Sequence, residues 1–171
     1  MSQQSVSDLL TASLSPDDNV RQSATQQLEQ LASSSFPAYV QALIAQLANE
    51  GGAPSHIRNA AGLAIKNTLA AREASTKEQY AQRWTSLDSV TREQVKGGAM
   101  AALSSSDRGA RNVTGQVIAA IAAIELPAGL WPDLVSQLLA FVGRADNAGL
   151  RQATLQTIGY ICEQIVRCLF W

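Results

Sequence analysis

Between Pro37 and Glu50 the apolar positions Tyr39, Val40, Leu43, Ile44 and Leu47 fall at i, i+1, i+4, i+5 and i+8, one unbroken stripe along a helix. Pro37 stands in the first turn, where its missing N–H costs nothing, and Gly51-Gly52 ends the run. WPDLVSQLLAFVGR, about 131–144, repeats the arrangement, opened by Pro132 and closed near Gly143. VSDLLTASL predicts a shorter helix over about 5–14, and SLDSVTREQVKGGAMAALSS one over about 88–104. Each of these four is followed by a second helix whose start carries an arginine and a side-chain amide: Arg21-Gln22, Arg58-Asn59, Arg111-Asn112 and Arg151-Gln152. Successive arginines are 37, 53 and 40 residues apart, in or near the range of stacked helical hairpins. The pattern predicts an all-α chain: a right-handed α-solenoid of about four antiparallel helix pairs.

The longer second interval holds an extra element. TKEQYAQRW, 76–84, reads as a short amphipathic helix with Tyr80 and Trp84 on one face, placed to pack on the outer-helix layer. The helix after Arg111 is apolar nearly all round, from Val113 to Ile124, and so requires neighbours on several sides. Phe36-Pro37 and Trp131-Pro132 are equivalent punctuation, the aromatic acting as a hydrophobic staple. Asp17, Asp107 and Asp146 precede three of the arginines by four or five residues, where an aspartate caps the following helix. The recurring arginines read as a structural ladder. Arg21, Arg111 and Arg151, with Asp17, Asp107 and Asp146, bridge to an aspartate or carbonyl of their own or the next repeat, a role suited to a planar guanidinium fork.

Of the 171 residues, 46% are hydrophobic and 16% charged, with a formal net charge of −1. That composition supplies a core, and near-neutrality argues against nucleic acid or an anionic membrane surface as the main ligand. The N-terminus lacks the basic and apolar regions of a signal peptide, and VIAAIAAI (117–124) is too short to cross a bilayer. Cys162 and Cys168 have no metal-ligand spacing, and His56 is the sole histidine. No catalytic constellation, phosphate loop or metal set assembles, so the expectation is a protein that is not an enzyme and uses no cofactor or metal.

The segments IRNAAGLAIKNTL (57–69), EQYAQRWTSLD (78–88), LPAGLWPDLVSQLLAFV (126–142) and IGYICEQI (158–165) resemble, in order, the N-terminal HEAT repeats of the importin-β family of nuclear transport receptors. The resemblance covers residues 5–165 and implies HEAT repeats at about 5–34, 36–72, 76–125 and 130–166. It further implies a cytoplasmic and nuclear protein, found at the nuclear pore, that binds Ran-GTP through its concave inner helices and helps carry cargo. On that basis the partner-facing candidates are Arg58, Asn59, Lys66 and Asn67, with Lys66 and Asn67 foremost. Sites for the importin-α adaptor, and the better-known grooves for FG nucleoporins, lie in later repeats of the family. The competing reading is a HEAT scaffold of a phosphatase or coat complex with no GTPase partner.

After IGYICEQI the chain departs from the family pattern and reads VRCLFW. A boundary of the expressed fragment, a divergent isoform and read-through into an intron remain three open explanations of residues 166–171. Leu155, Ile158, Ile161 and Ile165, together with Leu169, Phe170 and Trp171, are expected to form an uncapped apolar face. Either the tail covers that face or the chain self-associates through it.

Overall fold

The computed structural model describes residues 5–169, with side chains through Val166. Every regular element among the described residues is helical: α1 (Val6–Ser13), α2 (Asp18–Ser34), α3 (Phe36–Ala48), α4 (Ser55–Leu69), α5 (Ala74–Thr85), α6 (Ser89–Ala102), α7 (Arg108–Glu125), α8 (Leu134–Val142) and α9 (Ala148–Leu169). Four antiparallel pairs, α1/α2, α3/α4, α6/α7 and α8/α9, stack side by side, with α5 inserted before the third. The outer helices α3 and α6 pack together, and the inner helices α4, α7 and α9 form a second layer. At the amino-terminal end α1 lies against both α3 and α4, while α2 meets α3.

Side-chain caps set many of the helix starts. Ser5 and Asp8 form a capping box on α1. Asp17 accepts from the amides of Asn19 and Val20, Asp88 from Thr91, and Asp107 from Gly109. At α9 the expected cap is displaced by one residue: Asn147, not Asp146, accepts from the amide of Leu150 at 2.9 Å. Helix α8 is also shorter than the pattern predicts. Trp131 and Pro132 lie in the turn before it, whereas Phe36 is the first residue of α3 and Pro37 follows in its first turn.

The inner layer depends on two glycines at matching positions, each four residues beyond an arginine. A Cβ on Gly62 would lie 2.7 Å from both methyls of Val113, and one on Gly115 would lie 2.6 Å from the Thr157 hydroxyl. Only hydrogen at these positions lets α4 approach α7, and α7 approach α9, this closely. Gly109 and Gly149, two residues before their arginines, do the same for the helix ends: Asn59 packs over the first and Arg111 over the second. Helix α7 is covered by α4, α6 and α9, which meets the demand of its apolar circumference. Trp84, Leu103, Ile118, Ile121, Leu134 and Leu138 lie among the fully buried side chains of the core.

The extra helix is fastened through polar groups at the heart of the molecule. Trp84 is completely buried and its indole Nε1 donates to Glu125 at 3.0 Å, at the end of α7. The other Glu125 oxygen accepts from Lys96 Nζ at 2.9 Å, and Arg92 lies 3.5 Å from the first. Lys96 also donates to the Leu130 carbonyl and sits 5.2 Å from the Trp131 ring. Burial works to lower the Lys96 pKa, but the carboxylates of Glu93 and Glu125 outweigh it and raise the value above that of an ordinary lysine. Helix α5 thus packs against inner helix α4 and reaches α7, rather than resting on the outer layer alone.

Candidate partner-binding surface

Three of the four arginines that start the inner helices turn back toward the end of the preceding helix or the turn after it. Arg21 donates to the Ser15 carbonyl at 2.9 Å and pairs with Asp18. Arg58 donates through Nε to the Leu47 carbonyl at 2.9 Å, and Arg111 to the carbonyls of Ser105 and Ser106 at 2.7 and 2.8 Å. Carbonyls of the same repeat therefore take these guanidinium groups, while Asp17 and Asp107 are occupied with backbone amides. The expected bridge between Arg151 and Asp146 does not form. Asp146 is gripped by Arg144 through two bonds of 2.8–2.9 Å, which hold its carboxyl at a pKa of about 2.

The turns of neighbouring repeats are joined by a different residue. Glu50, after α3, accepts from both the amide and the hydroxyl of Ser106, before α7. Those two bonds, the hydroxyl's first, hold its carboxyl below the usual carboxylate range.

Beyond the arginines, a groove of about 930 Å³ opens along the inner helices. Ala119 and Ala120 of α7 line it, small enough to expose backbone-level space between α4 and α9. Lys66, Arg72 and Lys77 line it from the α4–α5 side, and Tyr160 and Glu163 from α9. Lys66 leans across, its Nζ donating to Gln116 Oε1 at 3.2 Å, and Tyr160 donates to Asn112 at 2.9 Å. The groove is thus cationic along one wall and amide-lined or acidic along the other. It suits a polar protein segment rather than an apolar small molecule.

The structure separates the four residues proposed from sequence to face a partner. Arg58 is only 2% exposed and committed to Leu47, so it lies inside the wall and faces no partner. Asn59 is half-buried over Gly109. Lys66 lines the groove, and Asn67 is exposed but is not one of the lining residues. Sequence reasoning missed Arg72, Lys77, Gln116 and Tyr160, because a surface built from four elements has no linear signature.

At the carboxyl-terminal side the expected apolar face is reduced. Ile161 is buried in the core, and Ile158 and Ile165 are partly buried against it, because that side of α9 packs on α7 and α8. Leu155 alone of the four is exposed, at 57%. The side chains of Leu169, Phe170 and Trp171 lie outside the described residues.

A sequence profile described as the Importin-beta N-terminal domain matches residues 24–105. Importin subunit beta-1 of Schizosaccharomyces pombe is 46% identical over 92% of the chain. The chain belongs to the importin-β family. Importin subunit beta-1 of Arabidopsis thaliana is 37% identical over 94% of it, and the chain spans 18% of the length of each of these two relatives. A crystal structure of importin beta in an ammonium sulfate condition superposes with a TM-score of 0.88 at 40% identity, over 92% of this chain and 18% of that one. So does a structure, 33% identical, of Kap95p inducing the switch loops of RanGDP to adopt the GTP-bound conformation, over 92% of this chain and 19% of that one. A Kap95:Nup1 complex matches at 0.87 and 33% identity, over 93% and 19%. The helical pairs of this importin-β chain are therefore the family's solenoid.

Proposed function

We propose that this importin-β chain is part of a nuclear import receptor that engages the small GTPase Ran in its GTP form through the inner-helix groove, and so takes part in carrying cargo through nuclear pores. Its setting would be the cytoplasm, the nucleus and the pore between them. The reading is carried by one conjunction: a chain that superposes on Kap95p bound to Ran has its inner helices arranged around an open groove with a cationic wall. Lys66 supplies a charge within that wall, and Asn67, the next residue of α4, supplies an exposed amide. The alanines of α7 admit a loop to the groove floor. A nucleoporin partner, by analogy with the Kap95:Nup1 complex, and an importin-α adaptor and cargo belong to the same proposal for the longer receptor.

Biolayer interferometry with Ran loaded with a non-hydrolysable GTP analogue, or with GDP, tests the reading. The GTP form is expected to bind more tightly, and Lys66→Glu to weaken it about tenfold, equivalent to ~1.4 kcal/mol. Equal affinity for the two nucleotide states, or no effect of charge reversal at Lys66, would reject it.

A further inference from the structure

Two adjacent residues of the inserted helix hold the ends of two different inner helices. Arg83 donates through a terminal nitrogen to the Thr68 carbonyl at 2.9 Å, in the last turn of α4. Trp84, the next residue, donates to Glu125 at the last residue of α7. The Arg83 guanidinium is itself enclosed, 4.1 Å from the Phe36 ring centre of α3 and 4.9 Å from Tyr80 of α5. A cation between two ring faces, bonded to a helix-terminal carbonyl, is held in one place by three independent forces.

We infer that α5 is a clamp that sets the spacing of α4 and α7, and that Arg83 is the positioning residue through which it fixes the α4 wall of the groove. The last turn of α4 carries Lys66 and Asn67, and the segment from Ala70 to Ala74 that follows lines the groove before entering α5. Release of Arg83 frees that turn while Trp84 still anchors α5 to α7. The loosening is confined to the groove side of that turn, since Leu69 stays buried in the core with Ile57, Ala61 and Ile65. Helix α5 therefore does more than lengthen a connection: it couples the ends of consecutive inner helices whose middles are already spaced by Gly62.

The consequence for a partner rests on the Ran reading, but the clamp itself is measurable without one. Hydrogen exchange of the intact chain is compared for the parent, Arg83→Gln, and Tyr80→Leu, which keeps the arginine and removes one ring. Both variants are expected to exchange about tenfold faster at the amides of Leu69 and Ala70, the latter bonded to the Lys66 carbonyl, with α7 and α9 unchanged and the far-ultraviolet dichroism retained. Arg83→Lys, which retains charge and can reach one carbonyl, should restore part of the protection. GTP-loaded Ran should dissociate faster from Arg83→Gln. Unchanged exchange at Leu69 and Ala70 in both variants overturns the clamp. Faster exchange there without Ran binding in any form upholds the clamp and removes the Ran reading instead.

Discussion

Glu125 is a single carboxylate fully enclosed at the end of α7, and three donors from two other helices converge on it. Glu125→Leu would leave Lys96 buried and the Trp84 indole without an acceptor. Stranding a buried charge costs about 3–5 kcal/mol, and the exposed Glu93, 2.6 Å from Lys96, moderates the loss toward the lower figure. Urea unfolding followed by circular dichroism should show that drop, with Trp84→Phe costing about 1 kcal/mol for the hydrogen bond alone. None of this was legible in the sequence. Glu125, Lys96 and Arg92 are ordinary helix charges until tertiary packing brings α7 against α5 and α6. The same ambiguity misplaced Arg58. Arg58 and Lys66 are both basic residues of one amphipathic helix, and only the packing shows that the first points inward to Leu47 while the second lines the groove.

At the scale of helices, the apolar periodicity and the recurring arginines were sufficient to place the nine helices of the described residues, because a stripe such as Tyr39 to Leu47 has one burial solution. The ends were harder to read. Asn147 competes with Asp146 for the same cap, and Trp131 turns into the Lys96 site instead of opening α8. Glycine was the other blind spot: Gly62 and Gly97 look alike in sequence, yet α4 meets α7 at the first and nothing lies within 4 Å of a Cβ at the second. Their alanine substitutions should therefore have opposite signs. Gly97→Ala, in an exposed turn of α6, gains up to about 1 kcal/mol of helix propensity. Gly62→Ala meets both methyls of a stiff valine and is expected to lose about 1–3 kcal/mol through overpacking. Thermal unfolding of the two variants checks this: an unchanged or raised midpoint for Gly62→Ala would contradict the contact assigned to Gly62, and destabilisation by Gly97→Ala would contradict the open space at Gly97.

Across the whole molecule, the core is continuous from α1 to α9, and the largest apolar exposure lies on the last pair. Val135 and Leu139 stand one turn apart on α8, 58% and 60% exposed, and Leu155 and Val166 lie on α9 at 57% and 51%. Leu155 occupies the place that Gly62 and Gly115 hold in the two preceding inner helices, four residues past the arginine. A leucine there cannot accept a neighbour as closely as the glycines do, so a second copy docking on this face would not reproduce the α7–α9 approach. Burying the exposed half or so of four such side chains contributes about 0.8–1.5 kcal/mol each, or roughly 3–6 in sum, against an association cost of about 4–15 kcal/mol. The balance predicts a monomer, with self-association through these residues weaker than about 1 mM. Sedimentation equilibrium should show a mass independent of concentration up to about 1 mM. A mass that rises with concentration below that, and that Leu139→Lys or Leu155→Gln suppresses, would mean that this face gains more than its four exposed side chains supply.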